Sequence, residues 1–352
     1  MYAGELYDIS KSYDWNYDHA PSRPDRSEIR PIAGDWNFCG LASNSPLGVP
    51  AGPLLNSQWI LYYASLGFDV LTYKTVRSAE RKCYGLPNLL PVEGGPLVGE
   101  GGEINSSEGS FDTWAISFGM PSKDPAVWRK DVERARLGLG KGQVLVVSVV
   151  ASPQPGWTID EVAEDFATCA KWAAESGAQA VEPNLSCPNV CTQEGDLYLS
   201  PSASKIVTQA VRAAIGRLPL ILKAGLFPSL SHAEQFVEAI APTADAISST
   251  NSITAKVRAA NGELLFEGLK RGIGGAGIEK RCREEVGMLA GIIREKQLDL
   301  KLVAVGGVST PEHVTDRLAA GAHHVQLATA AMLNPNIALE IRSKLLAKEK
   351  NG

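Results

Sequence analysis

The stretch Leu302-Val303-Ala304-Val305-Gly306-Gly307-Val308-Ser309-Thr310-Pro311 holds one unit of the fold: an apolar, β-branched run, a glycine pair that ends it, and the entry to a segment of helical period. Working outward from it, the same alternation recurs along the chain. Strands are predicted at Leu47 to Pro50, Val70 to Lys74, Val144 to Val150, Ala180 to Asn184, Leu220 to Lys223, Ala246 to Ser249, Leu302 to Val305 and His324 to Leu327. Helices are predicted at Ser57 to Leu66, Pro125 to Leu137, Ile159 to Ser176, Ser202 to Leu218, His232 to Ile240, Glu279 to Glu295, Pro311 to Ala320 and Asn336 to Lys348. Eight βα units are what a closed parallel barrel requires, so the fold class is α/β, a (β/α)8 TIM barrel with an N-terminal extension and long βα loops. Residues 1–38 form the polar extension and 39–352 the barrel. Two further excesses of chain, Pro91 to Asp112 and Ile253 to Gly277, read as loops after strand ends, where this architecture builds its active site. For the first of them a solvated loop without function is an equal reading.

Composition narrows the function. The 352 residues are 44% hydrophobic and 21% charged, which describes a folded chain and not a disordered one. With 34 basic against 39 acidic residues the net charge is −5, so no large basic surface is available for a nucleic acid. The longest apolar stretch, Val144 to Ala151, is far shorter than the roughly 20 residues of a membrane span. The first residues lack the basic start and apolar core of an export signal, and the expectation is a cytoplasmic protein without a membrane partner. Six cysteines are too few for a disulfide scaffold and are expected to be reduced. Cys187 and Cys191 could serve a metal or a redox pair, but no neighbouring cluster completes a site, and no metal is expected. None of the five histidines is expected to act as an acid or base.

Three constellations could carry chemistry. Gly306 and Gly307 follow the seventh strand and Ala328-Thr329-Ala330 the eighth, the two loops from which barrels commonly build a phosphate cradle. Lys74 and Lys223 end the second and fifth strands; each is either a snorkelling surface residue or a cation aimed at an anionic or electron-rich ligand. Asn184-Leu185-Ser186-Cys187-Pro188-Asn189-Val190 ends the fourth strand with two amides around a thiol, and Asn251-Ser252 follows the sixth. Amides present a donor and an acceptor in fixed directions, and a thiol can exchange a proton, so this is a heterocycle-binding loop with a general base. The competing reading is a structural asparagine and a small buried cysteine.

Assembled in order, these segments resemble the dihydroorotate dehydrogenase family, in particular its soluble class 1 members. NLSCPNV at 184 to 190 is the most specific element, followed by LKAG around Lys223, TNSI at 250 to 253, GIGGAGI at 272 to 278, VAVGGV at 303 to 308 and VQLATA at 325 to 330. The resemblance implies FMN at the carboxyl end of the barrel, its phosphate on Gly306, Gly307, Ala328 and Thr329 with Gly274 and Gly275 alongside. Ala51 and Gly52 would lie beside the flavin ring, Lys74, Thr75, Asn184 and Lys223 on its polar edge, and Ser249 and Thr250 near the ribityl chain. Cys187 would take a proton from one ring carbon of a dihydropyrimidine while a hydride leaves the next, with Lys74 assisting. Substrate contacts would come from Lys74, Ser117, Gly119, Met120, Asn184, Asn189, Asn251 and Ser252. Where the family usually reads N-S-M-G-L-P-N, this chain has Ser117-Phe118-Gly119-Met120-Pro121-Ser122, and both asparagines are lost. That change leaves room for another cyclic amide or imide as substrate beside dihydroorotate. A flavin-free phosphate-binding isomerase is the remaining alternative. Class 1 relatives pass electrons to fumarate or to a partner subunit, and both acceptors stay open; a homodimer is implied by the family.

Overall fold

The computed structural model describes residues 6–23, 29–95, 97, 101–109, 112–186 and 196–349, the last three as backbone only. All eight expected strands are present: β1 (Leu47–Val49), β2 (Val70–Val76), β3 (Val144–Val149), β4 (Ala180–Pro183), β5 (Ile221–Lys223), β6 (Ala246–Ser249), β7 (Lys301–Val305) and β8 (His324–Gln326). They are hydrogen-bonded in parallel in chain order, with β8 beside β1. Between β4 and β5 the seam is closed by the parallel bridges Val181↔Leu220 and Asn184↔Lys223. The strands are buried on both faces, inside against the barrel centre and outside against helices, as continuous β-branched runs such as β3 require.

The helices begin where local chemistry starts them. Thr158 and Glu161 form a reciprocal capping box at the head of Ile159–Glu175. Thr310 caps Pro311–Ala319, with Pro311 in the first turn where its missing N–H costs nothing. Helix Glu279–Glu295 has the expected bounds.

The two segments expected as loops are not loops throughout. They supply three strands of a separate five-stranded sheet, in the order Leu89–Pro91, Thr113–Ile116, Arg271–Gly275, Ile253–Arg258 and Gly102–Asn105. Ile253, Ala255 and Val257 are buried while Thr254, Lys256 and Arg258 are half-exposed, the period of two of a strand with one covered face. The density of glycine nearby hid that period in the sequence. This side sheet packs over a second apolar cluster, in which Val92, Ile104, Ala115, Ile253 and Ile273 meet Leu226, Ile278 and Cys282 of the barrel.

The extension also packs more closely than its polar composition suggests. Tyr7, Tyr13 and Ile32 join the main core, and a short helix, Tyr13–Asp18, is tied to the barrel by a hydrogen bond from Asn56 Nδ2 to the Tyr17 carbonyl. Beyond it the hairpin Asn37–Phe38/Leu41–Ala42 covers the amino-terminal end of the barrel, where Phe38 meets the His324 ring edge-on with 5.0 Å between centroids.

His324 has a stability consequence. Burial, with the neighbouring His323, depresses its pKa to about 3, and Nε2 has no hydrogen-bond partner among the described residues. The unfolded chain takes up a proton near pH 6.5 that the folded chain refuses until far lower pH, so the stability tied to the neutral ring is present above 6.5 and is lost as pH falls towards 3. Chemical denaturation at a series of pH values should show wild type losing on the order of 4 kcal/mol more than His324→Phe across that window.

Candidate active site

The carboxyl ends of the barrel strands and the inner edge of the side sheet enclose a cavity of 660 Å³. It lies where this architecture places catalysis and is of the size that holds a cofactor-sized ligand. Ala51 and Gly52 enter it from the turn after β1, Lys74 and Thr75 from β2, Asn184 from the end of β4, and Lys223 from the end of β5. Gly306 and Gly307 line it after β7, and Ala328 and Thr329 after β8. The side sheet contributes Ser117, Gly119, Met120, Gly274 and Gly275, while Asn251 and Ser252 stand between β6 and that sheet. Ser249 and Thr250, expected beside a bound ribityl chain, do not line the cavity. Both side chains are fully buried, with the two hydroxyls 3.0 Å apart and that of Thr250 directed to the Cys282 thiol. Cys187 and Asn189 lie outside the described residues.

Below the cavity the barrel centre is polar. Glu182 on β4 is completely buried, and its Oε1 stands 3.9 Å from the Lys223 ammonium. Burial drives its carboxyl pKa upward, against the opposing pull of Lys223 and of the Ser148 and Ser248 hydroxyls. Lys223 is therefore no snorkelling residue: it is 4% exposed, held by a buried acid on one side and open to the cavity on the other.

One polar relay joins two predicted substrate contacts. Asn251 Nδ2 donates to Ser186 Oγ at 2.6 Å, and Ser186 Oγ donates to Asn184 Oδ1 at 2.9 Å. Asn184 Nδ2 then faces the Met120 sulfur at 3.8 Å. Ser186 thus sets the direction of both amides, a role that its place inside the NLSCPN motif could have suggested.

The phosphate-type loop is equally constrained. Gly306 and Gly307 have φ of 108° and 72°. A Cβ on Gly307 would stand 2.3 Å from Glu279 Cα and 2.5 Å from its nitrogen, so the loop packs directly on the start of helix Glu279–Glu295. Arg317, wholly buried, donates from Nη2 to the carbonyls of Glu279 at 3.0 Å and Gly306 at 3.3 Å and fixes the loop from behind. Sequence reading did not find Arg317, which sits in the last turn of its helix with nothing local to mark it.

The cavity residues fit a flavin. Gln326 Oε1 and Trp114 Nε1 are buried in its wall without a hydrogen-bond partner among the described residues, groups that a polar heterocycle can satisfy. The glycine loop leaves backbone room at one end for a phosphate, and the two buried lysines supply positive charge. Among the described residues no group of three or more His, Cys, Asp or Glu could hold a metal, and no helix is long and apolar enough to cross a membrane.

Fold and site together define a parallel eight-stranded barrel with a cofactor-sized cavity at the carboxyl ends of its strands. The sequence profile of the family Dihydroorotate dehydrogenase matches residues 35–348. A dihydroorotate dehydrogenase from Dictyostelium discoideum is 33% identical over 95% of this chain and 96% of its own length. The catalytic subunit of dihydroorotate dehydrogenase B (NAD(+)) from Staphylococcus carnosus is 27% identical over 52% of this chain and 58% of its own. In the solved structure of DHODH from Eimeria tenella in complex with ferulenol the same fold recurs, with a TM-score of 0.75 at 15% identity over 99% of this chain and 94% of that one. The chain belongs to the dihydroorotate dehydrogenase family, flavin-dependent oxidoreductases that act on a CH–CH bond.

The loop geometry predicts that Gly307→Ala, which adds a methyl against backbone at a left-handed φ, lowers stability by about 2 kcal/mol or more and reduces the flavin retained on purification. Differential scanning calorimetry and the visible absorbance per mole of protein check both.

Proposed function

We propose that the chain oxidises dihydroorotate to orotate at this barrel mouth with FMN as its flavin, Cys187 acting as the proton acceptor. The observation that carries this reading is the convergence in one cavity of two buried lysines with the Asn184–Ser186–Asn251 relay.

FMN would be held by Gly306, Gly307, Ala328 and Thr329 at its phosphate, by Ala51 and Gly52 beside the ring, and by Thr75 and Lys223 on the polar edge; when bound it supplies a two-electron acceptor for hydride. The residues of the chain do the rest. Lys74 and Lys223 place positive charge where negative charge accumulates on reduction, in a wall with little water to screen it. Asn184 and Asn251, oriented through Ser186, present donors and acceptors to the amide groups of the pyrimidine ring. Met120, Gly119 and the aromatic wall of Trp114 and Phe118 cover the ring and keep water out. Cys187, placed by the NLSCPN motif, takes the proton from one ring carbon as the hydride leaves its neighbour. An unperturbed thiol is only a few per cent thiolate at neutral pH, so positive charge or hydrogen-bond donors must favour the thiolate for Cys187 to act as the base. A homodimer in the cytoplasm goes with this reading.

Anaerobic titration of the purified flavoprotein with dihydroorotate should bleach the visible flavin bands and yield orotate. Cys187→Ala should bind FMN normally yet slow that bleaching by about 10²-fold or more. A wild-type protein that stays yellow with excess dihydroorotate overturns the assignment, and unchanged reduction in the variant removes Cys187 from the chemistry.

A further inference from the structure

The amino-terminal extension reaches the cavity through one side chain. Phe118 lines the cavity, and its ring also meets Tyr7 and Tyr13 edge-on, with centroids 6.1 Å and 6.0 Å away. Asn88 makes a second tie. It is 1% exposed; its Oδ1 accepts from the Tyr13 backbone N–H at 3.2 Å, and its Nδ2 donates to the carbonyls of Tyr84 at 3.0 Å and Ser117 at 3.1 Å. The backbone adds two more bonds, from Ser117 N to the Asn88 carbonyl at 2.8 Å and from Tyr84 N to the Phe118 carbonyl at 3.1 Å. One buried amide thus joins the head of helix Tyr13–Asp18 to the segment that walls the cavity. A third tie is the ion pair of Lys123 with Asp14 at 2.7 Å.

That wall needs outside support. Gly119 and Met120 follow one another at φ of 71° and 50°, and a residue with a Cβ keeps a left-handed conformation only where its surroundings hold it there. Arg77 Nε fixes the Met120 carbonyl at 3.0 Å, and Gly119 lies so close to the Tyr84 ring that a Cβ would stand 2.6 Å from Cζ. Met120 in turn places its sulfur 3.8 Å from Asn184 Nδ2. A chain of contacts therefore runs from Tyr7 and Tyr13 through Phe118 and Met120 to the amide relay on the barrel side. Tyr7, Tyr13 and Asn88 do not themselves line the cavity. We propose that residues 6–19 form a strap that holds the wall 117–120 in its ligand-ready shape, with Asn88 as the positioning residue that fastens strap to wall. The extension is then a working part of the site, and loosening it opens this wall while leaving the glycine loop after β7 as it is. What the wall covers rests on the reading of the cavity as a dihydropyrimidine site; that the strap holds it does not.

The test follows hydrogen exchange by mass spectrometry in the FMN-loaded protein and titrates it calorimetrically with orotate, for wild type, Asn88→Ala and Tyr7→Leu. Asn88→Ala should speed exchange in peptides covering 113–120 about tenfold or more, with peptides from β3 and β7 changed less than about twofold. Tyr7→Leu leaves every hydrogen bond of Asn88 in place and should speed the same peptides about threefold. Orotate should weaken about tenfold in Asn88→Ala at unchanged flavin content, and KM for dihydroorotate should rise more than kcat falls, since Asn88 does not touch the reacting atoms. Exchange at 113–120 equal to wild type, or raised evenly across the barrel, overturns the strap, because a merely stabilising contact lowers protection everywhere. Faster local exchange with unchanged orotate affinity overturns its service to the ligand. Failure of the wild-type protein to bind orotate would instead overturn the substrate reading and leave the exchange result to decide the strap. Should Asn88→Ala not fold, Tyr7→Leu decides alone, and wild-type exchange at the wall in that variant overturns the proposal.

Discussion

A buried acid lies at the middle of this barrel, and the floor of the cavity is built around the cost of burying it. Glu182 is buried beneath the cavity, and the only cation beside it in the described ion pairs is Lys223, one strand away across the seam that two isolated bridges close. A buried acid paired at 3.9 Å is held by charge more than by hydrogen bonding, and it keeps the Lys223 ammonium at the floor of the cavity. The pair thus does two things with one arrangement. It draws β4 and β5 together where the ladder is thinnest, and it holds a positive charge at the floor of the cavity.

From that floor the walls are set by backbone constraints. The glycine loop after β7 closes on the start of helix Glu279–Glu295 so tightly that no side chain fits, and Arg317 holds its carbonyls from the far side. Asn184 and Asn251, on different strand ends, are brought to a common direction by one hydroxyl. In each case a group that lines the cavity is held in place by a neighbouring side chain, which is how a site keeps its geometry before a ligand arrives.

Much of this was legible beforehand because barrels announce themselves in periodicity. Each strand such as Val144–Val149 is an uninterrupted apolar run, and the strand ends carry their glycines, lysines and amides at readable places. What escaped detection depends on contacts distant in sequence. Thr113–Ile116 pairs with Arg271–Gly275 across more than 150 residues, and no local pattern foretells that partner. Arg317 and Arg271 look like ordinary surface cations until the fold shows one buried under a loop and the other facing a cavity. Ser249 and Thr250 end their strand as expected, but their hydroxyls are buried against each other, an orientation that strand position alone does not determine.

Among the described residues the side sheet has a strand ladder separate from that of the barrel, while its apolar cluster is shared with Leu226 and Cys282 of the barrel. The cavity is therefore walled on one side by the closed eight-stranded frame and on another by a sheet with a ladder of its own. Exchanges on that sheet can reshape one wall of the cavity while the eight-stranded frame and its Glu182–Lys223 floor stay as they are. A lineage built this way can change its diet without relearning how to move electrons.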